Sequence, residues 1–171
     1  AGSGSGRPGR QPMTRLLNAG FLISLLLALV LQMVVLPDWL AAARPLWIPL
    51  VLSYWALREP RVPVLLPAFL VGLCCDVLFG SVLGQHALGF VLVTYLVARL
   101  RAFFVLFPLW QATLALIPAW AAYAFLMFWI DGLTQHRGDD WLRWLPVVST
   151  SLFWPLVYTI MELIRQPPEE E

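Results

Sequence analysis

The stretch Gly72-Leu-Cys-Cys-Asp76-Val-Leu-Phe-Gly80-Ser-Val-Leu-Gly84 sets one acidic residue and evenly spaced glycines in an apolar run. Spacing by four predicts one slowly rotating face of a helix, where small residues let another helix approach closely. An acidic group in an apolar span is costly and by default faces protein or water with a partner. Asp76 is therefore either a proton or solute site or a cap for the broken backbone between Gly80 and Gly84.

The composition around this stretch excludes most soluble classes. Hydrophobic residues make up 60% of the 171 residues and charged residues 12%, whereas soluble domains are about 45–50% apolar and about 25% charged. At about 20 residues a span, the chain has room for at most about eight membrane helices and none for a soluble catalytic domain. A formal net charge of +1 does not indicate a nucleic-acid partner.

Six apolar segments predict an all-α integral membrane protein with six transmembrane helices. The segments are apolar on all sides, which is typical of helices in lipid and not of barrel strands. The predicted spans cover residues 16–36, 42–57, 62–79, 85–98, 103–130 and 144–164 of a membrane domain at 13–165. Residues 1–12 are expected to be a linker or disordered N-terminus, and residues 166–171 a polar cytoplasmic tail.

The arginines predict the orientation, because short loops rich in basic residues stay in the cytoplasm. All 11 basic residues are Arg. A cytoplasmic N-terminus puts eight of them inside and three outside. The inside set is Arg7, Arg10, Arg15, Arg58, Arg61, Arg99, Arg101 and Arg165, and the outside set is Arg44, Arg137 and Arg143. Both termini are therefore predicted to be cytoplasmic.

Polar residues within the spans are candidates for contacts between helices. Asn18 and Gln32 lie 14 residues apart, which is four turns and thus one face of a helix. Together with Gln111 they are predicted to stabilise packing inside the bundle, or else to meet the helix of a second protein. Glu162, one turn from the end of its helix, is expected to snorkel or to pair with Arg165.

The sequence carries no motif of enzyme chemistry. Its two histidines, His86 and His136, belong to no zinc-binding, nucleophile-elbow or phosphate-loop pattern. We therefore expect no catalytic residue, no metal site and no cofactor.

The stretch from Arg44 to Arg101 resembles the bacterial rod shape-determining protein MreD family. The resemblance is carried by four motifs and covers nearly the whole chain in size and number of spans. The motifs are Arg44-Pro-Leu-Trp47, Tyr54-Trp55-Ala-Leu-Arg58-Glu-Pro60, the Gly72-x3-Asp76-x3-Gly80-x3-Gly84-x4-Gly89 series and Tyr95-Leu-Val-Ala-Arg99. The cysteine pair before Asp76 and the prolines of the last two spans depart from the family pattern.

The resemblance implies a non-enzymatic scaffold of the cell-elongation and peptidoglycan-synthesis machinery in the bacterial inner membrane. It implies that the chain binds the transmembrane helix of MreC and through it acts with MreB, RodA and a class B penicillin-binding protein. Gly72, Asp76, Gly80, Gly84 and Gly89 would then serve helix packing or partner contact. Self-association into a homodimer and a membrane lipid between helices are left open.

The resemblance also supplies an alternative function. The fold of the family is thought to be similar to the six-helix substrate-binding subunits of energy-coupling-factor transporters. A small-molecule, vitamin-type substrate-binding subunit of a membrane transporter is therefore the second hypothesis. It requires a pocket between the outer ends of the helices.

Overall fold

A computed structural model describes residues 11–37, 41–60, 62–104, 108–134 and 142–165. In these ranges the chain forms six α helices and no β-strand, which confirms the predicted all-α class. The helices are α1 (Gln11–Met33), α2 (Trp47–Arg58), α3 (Leu65–Phe79), α4 (Gln85–Phe104), α5 (Leu109–Leu133) and α6 (Leu145–Arg165). A 3-10 turn at Leu142–Trp144 leads into α6. Residues 1–10 of the linker predicted at 1–12, and the tail predicted at 166–171, lie outside the described residues. Gln11 and Pro12 belong to α1 instead.

The helices pack as a ring of four with two helices on its outside. The ring consists of α2, α4, α5 and α6, each in contact with the next, and α6 returns to α2. Helix α1 packs on α2, and α3 packs on α4. Helices α2 and α4 therefore form the centre of the bundle, whereas α1 and α3 each leave a broad face uncovered.

Helix α2 is short and is enclosed by its neighbours. It has 12 residues, and every one from Ile48 to Ala56 is buried. At about 1.5 Å per residue it is only about 18 Å long. The fully buried Trp120 of α5 and Trp154 of α6 lie beside it, with ring centroids 5.7 Å apart in an edge-to-face arrangement. The core of the protein is thus built around this one helix.

Contacts between helix ends fix the relative direction of α2 and α6. The backbone N–H of Leu46, before α2, donates to the Thr150 hydroxyl at the start of α6 over 2.9 Å. We call this the Arg44 end. At the opposite end, which we call the Glu162 end, the Tyr54 hydroxyl donates to Glu162 over 3.0 Å. Helices α2 and α6 therefore run in the same direction.

Large apolar side chains cover the outside of the bundle. Ile23 on α1 is 67% exposed, Val77 on α3 is 73% exposed and Leu152 on α6 is 77% exposed. Soluble proteins seldom expose contiguous apolar surface on this scale. The segments Trp110–Leu133 and Leu142–Arg165 are long and apolar enough to cross a bilayer, whereas the apolar stretches Asn18–Met33 and Leu65–Phe79 are shorter.

Proline explains several helix boundaries that the apolar runs misplaced. Helix α5, predicted from 103, begins at Leu109 because Pro108 has an extended ψ of 158°. Helix α2, predicted from 42, begins at Trp47, since Pro45 disfavours the helical region for the residue before it. Pro37 and Pro63 act in the same way, so that α1 ends at Met33 instead of 36 and α3 begins at Leu65 instead of 62.

Other boundaries differ because polar residues continued a helix. Helix α1 begins at Gln11 instead of 16, with Pro12 in the first turn, where a helix loses no hydrogen bond to proline. Helix α4 continues from the predicted end at 98 to Phe104. Its arginines at 99 and 101 are good helix formers and suit the negative end of the helix dipole. Helix α6 lies within one residue of its predicted bounds of 144–164.

Candidate functional site

The buried Asp76 closes the turn between α3 and α4. Helix α3 ends on Gly80, whose left-handed φ of 64° lets its N–H donate to the Asp76 carbonyl. The N–H of Ser81 donates to the same carbonyl over 3.1 Å. This ending turns the chain back over α3, so that the Asp76 side chain, 1% exposed, faces the beginning of α4.

Four polar groups converge on the Asp76 carboxylate. Its Oδ2 accepts from the backbone N–H of Gly84 over 2.7 Å. Its Oδ1 accepts from the N–H of His86 and from the Ser81 hydroxyl, each over 2.8 Å. Nδ1 of His86 also lies 2.8 Å from Oδ1. Hydrogen bonds to a charged acceptor are about twice as strong as neutral ones, and this set is the arrangement that the backbone-capping hypothesis describes.

The glycine series does not form the single helical face that its spacing predicts. Helix α3 stops at Phe79, so Gly80 and Gly84 lie in the turn, both with positive φ, at 64° and 96°. A Cβ at either position would meet nothing within 4 Å. The correction has a physical cause, because a left-handed glycine ends a helix instead of continuing it.

The two outer members of the series mark close helix contacts within the chain. A Cβ on Gly72 would lie 2.2 Å from the Cα of Ala87 on α4. A Cβ on Gly89 would lie 2.5–2.7 Å from the side chains of Met127 and Tyr123 on α5. Gly72 and Gly89 therefore pack α3, α4 and α5 together, and both are covered by the protein itself.

Of the predicted polar residues, Gln32 lies between helices. Its Oε1 accepts from the N–H of Trp47 at the start of α2 over 3.2 Å. Arg44 donates to the carbonyls of Gln32 and Val34, each over 2.8 Å, and so caps the end of α1. Asn18 is exposed on α1, and Gln111 is half-buried near the beginning of α5. The structure does not bring these two residues to the Asp76 turn.

At the Glu162 end, an ionic network joins α2 to α6. Glu162 accepts from the Tyr54 hydroxyl over 3.0 Å and from Nε of Arg58 over 3.2 Å. Arg165 instead pairs with Glu59, over 3.3 Å. The expected pairing of Glu162 with Arg165 is therefore wrong, because the neighbouring helix brings a closer guanidinium than the same helix does.

A small cavity lies at the Arg44 end, beside the Asp76 turn. It has room for about 20 Å³ and is lined by Gln32, Leu46, Pro49, Phe79, His86, Phe90 and Tyr123. Among the described residues, no three or more His, Cys, Asp or Glu side chains gather into a metal-binding group. The cavity and the Asp76 turn share His86.

Comparison with known proteins decides the family. The family model of rod shape-determining protein MreD matches residues 13–164. The chain belongs to the MreD family. The rod shape-determining protein MreD of Haemophilus influenzae is 29% identical over 140 residues, which cover 82% of this chain and 86% of that protein. No solved structure matches the chain.

MreD membership supports a rod shape-determining role and places the chain in a membrane-associated family. The MreD match assigns no residue, so the roles of individual side chains rest on the geometry. His86 is the main residue of this MreD site that sequence reasoning missed. Its signal was its position ten residues after Asp76 across a glycine turn, which puts both side chains at one end of a helical hairpin.

Proposed function

We propose that this MreD family member is a six-span scaffold of the bacterial inner membrane that binds the transmembrane helix of MreC. Through MreC it would act with MreB, RodA and a class B penicillin-binding protein in cell elongation. The family match over residues 13–164 carries this proposal. The structure supports it with six helices and an apolar exterior.

The short helix α2 is compatible with a span because of where it lies. A lipid-facing helix needs about 20 residues to cross the hydrocarbon core. Helix α2 has 12 residues, but its neighbours enclose it, and irregular backbone is tolerated at membrane depth where protein surrounds it. The chain segments on either side of α2 can therefore complete the crossing within the bundle.

The charges at the two ends support cytoplasmic termini. Helix α4 begins at the Arg44 end, and so the arginines near its end lie at the Glu162 end. The described arginines of the Glu162 end are Arg15, Arg58, Arg99, Arg101 and Arg165, and those of the Arg44 end are Arg44 and Arg143. The excess at the Glu162 end favours this end as the cytoplasmic one.

Nothing at the described cavity favours the transporter-subunit alternative. Sites for small molecules usually enclose about 300–1,000 Å³, whereas this cavity has room for about 20 Å³. The polar groups of the Asp76 turn are occupied with one another. We therefore advance the scaffold function alone.

The partner helix has to meet a face that the chain leaves uncovered. Gly72 and Gly89 are buried against α4 and α5, so they are unavailable for a direct contact. The uncovered faces are those of α1, α3 and α6, where Ile23, Val77 and Leu152 are among the most exposed side chains. Each of these residues lies on a different face and reports on it separately.

Site-specific photo-crosslinking tests this proposal. A benzoylphenylalanine replaces Ile23, Val77 or Leu152, one at a time, in cells that produce MreC at its natural level. We expect an MreC adduct from one or two of the faces, with the remaining face as the matched control. Co-purification from native membranes, followed by identification of bound chains, gives a second readout. The absence of MreC from both experiments would refute the proposal.

A further inference from the structure

Tyr123 lines the cavity at the Arg44 end. Its ring stacks on Phe90 at 5.8 Å and lies against Gly89. The residue is only 6% exposed, and buried tyrosine hydroxyls ordinarily have a hydrogen-bond partner. A polar molecule in the cavity can be that partner.

His86 and Gln32 present further polar atoms to the same cavity. Nδ1 of His86 is turned towards Asp76 over 2.8 Å, which leaves Nε2 as the ring nitrogen without a partner among the described side chains. The neutral tautomer with its proton on Nδ1 makes Nε2 an acceptor. Oε1 of Gln32 is used by the N–H of Trp47, so its amide group is left as a donor.

We propose that one ordered water molecule occupies this cavity and joins α1, α4 and α5. It accepts hydrogen bonds from the Tyr123 hydroxyl and the Gln32 amide, and it donates one to Nε2 of His86. The volume of about 20 Å³ exceeds the roughly 10–15 Å³ that a single water needs, and two to four polar partners are usual for a buried water. This hydration site does not depend on the proposed partner.

Charge favours water over an ion. The Asp76 carboxylate lies on the other side of the His86 ring and repels an anion. Oε1 of Gln32 is already used by the N–H of Trp47, and among the described residues no three His, Cys, Asp or Glu side chains gather to hold a cation. A neutral molecule that both accepts and donates satisfies all three side chains. The water also fixes the orientation of His86, and with it the hydrogen bonds of the Asp76 turn.

Radiolytic footprinting of the full chain in detergent tests this inference, because hydroxyl radicals formed from a bound water label the side chains beside it. Phe90 lines the cavity and Phe21 does not, and both are 2% exposed. We expect Phe90 to be labelled several-fold faster than Phe21. Equal labelling of the two rings would overturn the proposal, and this comparison needs no variant.

Two variants test the hydrogen bonds. Tyr123→Phe removes one hydroxyl and keeps the ring on Gly89, and it should lower the labelling of Phe90. Tyr95→Phe removes a hydroxyl from an exposed ring on α4, the helix that also carries Phe90. It serves as the control and should leave the labelling of Phe90 unchanged. If Tyr123→Phe leaves the labelling of Phe90 at the wild-type rate, Tyr123 does not hold the water and the proposal fails.

Discussion

Gly72 and Ala87 bring α3 and α4 into contact backbone to backbone, since a Cβ on Gly72 would lie 2.2 Å from the Cα of Ala87. The backbone nitrogen of Ala87 would be only 2.5 Å away. Neither atom belongs to a flexible side chain that could move aside. The hairpin of α3 and α4 can therefore form in this way only while residue 72 has no side chain.

Gly72→Ala should lower the stability of the folded protein, because the added methyl group pushes α3 away from α4. Overpacking of this kind costs about 1–3 kcal/mol. Gly132→Ala is the matched control, since its Cβ would meet nothing within 4 Å, and in a helix the change should be neutral or stabilising. Thermal unfolding in detergent measures both. Equal melting temperatures would show that the two helices are not this close.

The same contact changes how the larger substitution is interpreted. If Gly72 met MreC directly, Gly72→Leu would weaken the association by removing a helix-helix contact. Since the site is covered by α4, the variant should lose its own fold first. A loss of MreC together with a lower melting temperature therefore carries no information about where the partner binds.

Asp76→Asn should destabilise the turn, although it preserves the size of the side chain. Four polar groups approach the two carboxylate oxygens, whereas an amide offers one acceptor oxygen. Leaving a buried N–H without a partner costs about 1–3 kcal/mol. Asp76→Ala should lower the stability further, because it leaves the N–H groups of both Gly84 and His86 without an acceptor.

Unfolding midpoints of the two Asp76 variants give the order of stability, and a cell-elongation assay gives the functional readout. If Asp76→Asn were stable and present at the normal level but unable to support elongation, the charge would have a role beyond closing the turn.

Gly80→Ala should cost about 1–2 kcal/mol through the backbone alone. Its φ is 64°, and a Cβ there would meet nothing within 4 Å. Gly80→Asn should cost less, because asparagine adopts the left-handed region more readily than most residues. Melting temperatures test this order. Should Gly80→Leu remain folded and yet lose MreC, the turn itself would be part of the partner's binding surface.

Exchanging the charges of Arg58 and Glu162 should restore part of the stability that each single charge reversal loses. The single variants Arg58→Glu and Glu162→Arg each place two like charges together and should unfold at lower temperature. The double variant should regain part of the loss. Because both side chains are partly exposed, we expect a coupling of only about 1 kcal/mol. A double-mutant cycle on melting curves measures it, and a coupling of zero would contradict the contact.

The six helices could be predicted from the sequence because the apolar runs are interrupted by charge, proline or glycine. Their ends were harder to place. The extended conformation of Pro108 separates α4 from α5 within a run that is apolar on both sides. A hydropathy profile does not show where this helix ends, because the break comes from the backbone geometry of proline.

The site was predictable only in part. Asp76 was singled out because a carboxylate in an apolar run needs partners, but its bonds to Gly84 and His86 depend on how the turn folds back. Glu162 pairs with Arg58 and not with Arg165 because α2 packs against α6. Spacing along one chain segment carries no information on such contacts between segments.

The enclosure of α2 has a consequence for biosynthesis in the membrane. A 12-residue helix is shorter than the roughly 20 residues that cross the hydrocarbon core, and it contains Ser53 and Tyr54. It should therefore partition poorly into lipid when it leaves the insertion machinery alone. Under the proposed six-span topology its surroundings come in large part from α4, α5 and α6, so we expect it to reach its final depth only after these later helices have been synthesised.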